Sequence, residues 1–178
     1  MTAKGVDEWR SIFERLGFPD PGAAVRAELE EENAHLAQHL FLRLAWRAVV
    51  AEDDTSWIDH HRDRAARHPN APLAGAGLAL ERLLAAGADP RDLTDVVRGL
   101  QYETLFDVCD VLDSRHHHLE EEFGPELAEE LFDAGWTLIE IDQEGRHGRE
   151  FGMLHEGVLS MDPTRREMRP RPGPDALA

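Results

Sequence analysis

Apolar residues recur along most of the chain at helical spacing. Trp9, Ile12, Phe13 and Leu16 fall at i, i+3, i+4 and i+7, which predicts a short amphipathic helix stopped by Gly17. Phe18 to Gly22 reads as a turn. From about 23 to 52 the chain has no Gly or Pro and is rich in Ala, Leu and Glu. That predicts one long helix with Val25, Leu29, Leu36, Leu40 and Leu44 as its core stripe. Ser56-Trp57-Ile58-Asp59 has the form of a capping box opening a helix to about Arg67. After a loop at 68–72, residues 73–86 read as an Ala/Leu helix closed by Gly87. Asp89-Pro90 is an N-cap followed by proline at the first helical position. Leu93, Val97, Leu100, Val108 and Leu112 mark the long helix that follows, to about Asp113. Gly124-Pro125 restarts the chain into a shorter helix ending near Gly135.

The period then changes. Residues 136–142 (WTLIEID) are β-rich, Gly145 and Gly148 supply turn chemistry, and 149–155 form the return strand. After Asp162 come Pro163, Pro170, Pro172 and Pro174 with four arginines, an extended or loosely ordered tail. The expected fold is mainly α: a helical bundle of about five to six helices with a small C-terminal β-hairpin, α+β at most. One helical domain spans 1–162, with the hairpin at about 136–155, and a Pro/Arg-rich tail spans 163–178. The hairpin is too small to stand alone.

A length of 178 residues with 42% hydrophobic content suits one ordinary globular domain. Charge changes the picture. The net charge is −17, which argues against a general nucleic-acid binder and against an anionic membrane surface. Residues 101–144 carry −13, with Arg115 their only basic group, and residues 145–178 carry +1. The acidic stretch is either a solvated, solubilising surface or a docking face for a basic partner. Glu120, Glu121 and Glu122 on one side, and Arg165, Arg166 and Arg169 on the other, are the candidate partner-binding residues. The C-terminal arginines are expected to fold back on the acidic stretch, within the chain or across a dimer. Scattered as they are along the sequence, the arginines form no phosphate-binding signature.

Residues 1–15 lack the apolar segment of a secretory signal, and the apolar run near 36–51 is broken by Arg43 and Arg47. Cys109 is the only cysteine and has no neighbouring His or Lys in sequence, so it reads as a small buried hydrophobe. A cytoplasmic protein is expected.

Four constellations could carry chemistry. On a continuous helix, Glu28, Glu32, His35, His39, Leu42 and Trp46 would share one stripe. Glu32 and His35 form an E-x-x-H and His35 and His39 an H-x-x-x-H, spacings that let two side chains grip one metal. The first resembles half of a ferritin-like di-metal site, but the later helices offer no second E-x-x-H. The other reading is two histidines bordering a core. Glu103, Asp107, Asp110 and Asp113 make the second constellation, a carboxylate run on a later helix that suits a hard cation such as Mg²⁺. Set opposite Glu28, Glu31 and Glu32, it resembles the all-α nucleotide pyrophosphatases, which hold Mg²⁺ through an E-E-x-x-E and an E-x-x-D motif. Glu28-x-x-Glu31 and Asp107-x-x-Asp110 are the nearest matches; the doubled Glu is misplaced and Asp107 replaces a Glu. Arg115-His116-His117-His118, the third, reads as a polar inter-helix loop that could offer two imidazoles to a transition metal. The fourth is the arginine-bearing C-terminal region itself. No phosphate loop, G-x-S-x-G elbow or C-x-x-C is present.

Two functions follow. The first is a non-catalytic interaction or regulatory module that binds a protein partner or a second copy of itself as a homodimer, and neither nucleic acid nor membrane. The alternative is a Mg- or Mn-dependent hydrolase of a phosphorylated small molecule. There Glu28, Glu31, Glu32, Glu103, Asp107 and Asp110 would hold the divalent metal, or His35 and His39 a transition metal.

Overall fold

The computed structural model describes residues 5–31, 34–131 and 136–171, with the side chains of Arg115 and His116 left aside. The protein is mainly α with one small antiparallel hairpin, as the hydrophobic pattern predicts. The described residues hold nine α-helices rather than five or six. No helix among them is long and apolar enough to cross a membrane.

The chain packs as two compact units. One comprises residues 1–44 and 108–158, the other 45–107 and 159–178. In the first, α1 (Val6–Leu16) ends at Gly17, whose φ of 83° needs glycine's freedom. Arg43 Nη1 donates to the Leu16 carbonyl at 3.1 Å and covers the same helix end. α2 (Pro21–Glu30) starts one step inside the expected turn, with Pro21 at its first position and Asp20 Oδ1 accepting from the Ala23 N–H at 2.8 Å.

The long helix expected over 23–52 is not continuous. Glu31 is extended, and α3 (His35–Ala45) begins afresh before a 3-10 turn at Trp46–Ala48. Two amides at the break find partners outside the helix. The Ala34 N–H donates to the Glu150 carbonyl at 3.3 Å, and the Leu36 N–H to Glu28 Oε2 at 2.8 Å. Tertiary hydrogen bonds have overridden helix propensity. The break also shifts the buried face: Leu29, Leu40 and Leu44 are exposed, while Leu42 is buried.

Phe13, Cys109, Leu154 and Val158 are fully enclosed in this unit. Burial of a side chain of Phe or Leu size contributes about 1.5–3 kcal/mol. Phe13 stacks on Trp9 at 6.1 Å and meets Phe18 edge-on at 4.8 Å. α7 (Arg115–Phe123) makes a helix of the segment expected as a loop, and Gly124 turns the chain into α8 (Pro125–Glu130). Strands β1 (Leu138–Ile141) and β2 (His147–Phe151) pair Leu138 with Phe151 and Ile139 with Glu150. The return strand ends at Phe151 instead of 155, and α9 (Leu154–Val158), absent from the sequence reading, follows.

In the second unit, α4 (Ser56–Arg67) packs on α5 (Ala74–Ala85). Gly77 allows that approach, since a Cβ there would overlap the His61 carbonyl oxygen and stand 2.6 Å from Ala65 Cβ. The expected capping box does not form. Ser56 is already helical, its N–H donates to Asp54 Oδ1 at 2.8 Å, and Asp59 pairs with Arg62 at 3.0 Å. α6 (Pro90–Asp113) contributes to both units, up to Asp107 in the second and from Val108 in the first. Trp57 Nε1 donates to Thr94 Oγ1 at 3.0 Å, tying α4 to α6 through the enclosed Thr94.

Candidate functional site

The densest polar arrangement in the first unit lies where α6 ends and α9 begins. Asp113 is the last residue of α6, and Asp110 lies one turn earlier on it. Asp113 Oδ2 accepts two hydrogen bonds from His155, from its backbone N–H at 2.9 Å and its Nδ1–H at 2.8 Å. A carboxylate only accepts, so the pair places the imidazole proton on Nδ1. Asp110 Oδ1 lies 3.9 Å from the same nitrogen, and Asp110 Oδ2 accepts from His118 Nε2 at 3.1 Å. The Asp113 side chain is only 7% exposed, while those of His155, Asp110 and His118 reach 27–29%. Gln38 Nε2 donates to the carbonyls of Gly152 and Met153 at 2.9 and 3.0 Å, which holds the bend into α9. A Cβ at Gly152 would stand 3.3 Å from Asp113 Oδ1, so this position favours glycine.

Beside this pair opens a cavity of about 720 Å³, within the size range of ligand pockets. Its described walls include Asp113, His155, Trp136, Glu150, Phe151 and Met153, and no basic side chain other than His155. Trp136 Nε1 donates to the Val111 carbonyl at 3.1 Å, which anchors the indole. Cys109, near Asp113 in sequence, is fully buried. Burial, reinforced by the Asp113 charge, pushes its thiol up to about 11.

Of the metal-ligand candidates, Asp110 belongs to this arrangement and the other described ones lie elsewhere. Glu28 is buried, accepts from the Leu36 N–H and is paired with the Arg149 guanidinium, which also donates to Glu140 Oε2 at 3.2 Å. Glu31 pairs with His35 at 2.6 Å on the surface. His39 packs its ring on Phe18 at 4.3 Å, and its enclosed Nε2 has no hydrogen-bond partner among the described residues. Burial, with a smaller contribution from the Arg43 charge, lowers its pKa. Glu32 lies outside the described residues. Glu103 and Asp107 are exposed and belong to the second unit, whereas Asp110 belongs to the first. Among the described residues no group of three or more His, Cys, Asp or Glu side chains could hold a metal ion.

The partner-binding candidates divide. Glu120, Glu121 and Glu122 are exposed on α7, with Glu121 3.3 Å from His117. Of the C-terminal arginines, Arg146 pairs with Asp142 and Glu144 and Arg149 with Glu140, in the acidic stretch as expected, whereas Arg166, Arg169 and Arg171 find other partners. Arg166 pairs with Glu52, Arg169 with Glu167 at 2.5 Å, and Arg171 with Asp53 and Asp95, each at 3.0 Å; Arg165 is exposed. Residues 162–171 are held in turns and not loosely extended, because Asp162 organises them. Its carboxylate, 0% exposed, accepts from Arg98 Nη2 at 2.6 Å, the Thr164 hydroxyl at 2.6 Å, the Thr164 N–H at 3.1 Å and the Met168 N–H at 2.9 Å. Burial pushes the Asp162 pKa up, but these donors more than offset it and hold it below the ordinary carboxylate value. Arg98 also donates to the Val50 carbonyl at 2.8 Å and lies 5.5 Å from the centre of the Trp46 ring.

Sequence reasoning missed His155, Trp136, Arg98 and Asp162 as site residues. The one available signal was Arg98, a charge amid the apolar stripe of Leu93, Val97 and Leu100. Comparison with protein-family models, with curated proteins and with solved structures finds no match to the chain.

Proposed function

We propose that the protein is a non-catalytic interaction module that receives a basic side chain of a protein partner in the cavity beside Asp113 and His155. The observation that supports this reading is the composition of its walls: Asp113 and Glu150 supply carboxylates, and Trp136 and Phe151 supply aromatic surface. An arginine guanidinium is stabilised by both, through charge-assisted hydrogen bonds and through its contact with a ring face. The exposed Glu120, Glu121 and Glu122 of the same unit would steer such a partner at low salt. No comparable observation favours a metal-dependent hydrolase.

The same reading keeps the chain in the cytoplasm, where the lone buried Cys109 stays reduced. It also includes a homodimer through α6, where Val96 and Leu100, one turn apart, are 61% and 57% exposed.

The test is calorimetric titration of the full chain with an oligo-arginine peptide at low and high salt. Saturable binding should weaken with salt, and should be lost in Trp136→Ala and in Glu150→Lys. Binding that is absent at low salt, or unchanged in both variants, overturns the reading.

A further inference from the structure

The arginines that lie scattered in the sequence are gathered by the fold of the second unit. Arg98 from α6 and Arg166, Arg169 and Arg171 from the C-terminal turns line one cavity of about 270 Å³, with Glu52, Asp95 and Asp162 as the acidic members of its wall. The wall thus gathers four guanidiniums against three carboxylates, and two of these arginines are also paired beyond the wall, Arg169 with Glu167 and Arg171 with Asp53. We propose that this cavity is a binding site for the phosphate group of a small molecule.

The acidic groups do not all stand in a ligand's way. Asp162 is neutralised by Arg98 and saturated by Thr164 and the Met168 amide, so it acts as an internal anchor. Asp53 and Asp95 hold the two terminal nitrogens of Arg171, each at 3.0 Å. Glu52 occupies the place that a ligand would take. Its Oε1 pairs with the guanidinium of Arg166 and lies 3.2 Å from Arg171 Nε, so one carboxylate bridges two arginines. Arg171 Nε is enclosed and meets Glu52 without hydrogen-bond geometry, so that arm of the bridge is held by charge alone. A phosphate dianion carries more charge than Glu52 and has three acceptor oxygens, enough to satisfy both guanidiniums together. Arg169, 71% exposed and paired with Glu167 at 2.5 Å, stands at the rim.

The backbone supplies an independent argument. Arg165, Glu167 and Met168 all have positive φ, 59°, 52° and 58°. Such conformations are uncommon for residues other than glycine and cost energy each time. The turns accept that cost, and their effect is to carry Arg166, Arg169 and Arg171 to one wall.

The experiment is calorimetric titration of the full chain with sodium pyrophosphate and with inorganic phosphate, against sodium chloride at matched ionic strength, beside thermal melts in the same solutions. The expected result is saturable one-to-one binding and a melting temperature raised by several degrees near saturation. Arg169→Gln, a rim substitution that leaves the anchor untouched, should weaken binding several-fold. Glu52→Gln removes the internal competitor and should tighten binding several-fold. No saturable heat in both the wild type and Glu52→Gln, a melt that chloride raises equally, or an affinity that Glu52→Gln leaves unchanged would each overturn the proposal.

Discussion

Asp113 Oδ2 receives both the backbone N–H and the Nδ1–H of His155, at 2.9 and 2.8 Å. One oxygen thus ties the C-terminal end of α6 to the first turn of α9 and orients the imidazole on the cavity wall. Asp113→Asn keeps the shape but removes the charge. It should lower stability by about 1.5–3 kcal/mol, the range for a hydrogen bond to a charged group. Urea denaturation measures this, and an unchanged midpoint would remove Asp113 as the tie.

Arg98 and Asp162 form a buried pair, with side chains 7% and 0% exposed. Asp162→Ala leaves a buried guanidinium without its carboxylate and should cost about 3–5 kcal/mol. Combining it with Arg98→Met should cost less than the sum of the two single changes, which a double-mutant cycle reads directly.

The sign of the pH dependence at Asp162 follows from its lowered pKa. Its contribution is present above the unfolded value of about 4 and is lost as pH falls through the lower folded value. The wild type should therefore lose stability on acidification below about pH 4. Asp162→Asn, less stable at neutral pH, should lose less over the same interval in parallel denaturation curves.

His39 acts at higher pH. Its folded pKa lies below the ordinary 6.5, first because it is buried and then because of Arg43. The unfolded chain therefore takes up the proton first, and stability falls as pH drops through and below about 6.5. His39→Leu, which keeps the contact with Phe18 apolar, should flatten that decline between about pH 7 and pH 5. A decline as steep as in the wild type would assign it to other groups.

Two glycines separate crowding from propensity. At Gly77 a Cβ meets the His61 backbone, so Gly77→Ala should destabilise by about 1–3 kcal/mol through α4–α5 separation. At Gly99, inside α6, a Cβ meets nothing within 4 Å, so Gly99→Ala should stabilise by about 0.5–1 kcal/mol. Opposite shifts in thermal melts are the expected outcome.

Local signals account for most of the helices. The i, i+3, i+4 spacing from Trp9, the Asp89-Pro90 start, the Gly17 stop and the Gly124-Pro125 restart act within one or two turns, and sequence carries them in full. The β-rich run at 136–142 and the glycines after it placed the hairpin for the same reason. The sites lie beyond that range. A good helix-forming segment breaks after Glu30, where Arg149, 121 residues from Glu28, and the Leu36 amide draw on the Glu28 carboxylate and the Ala34 amide on the Glu150 carbonyl. Asp113 meets His155 across 42 residues, and Arg98 meets Asp162 across 64. The acidic excess and the scatter of arginines were legible in the sequence. Which carboxylate neutralises which arginine was settled by the tertiary structure, because a buried charge must find its partner in space, whatever its distance along the chain.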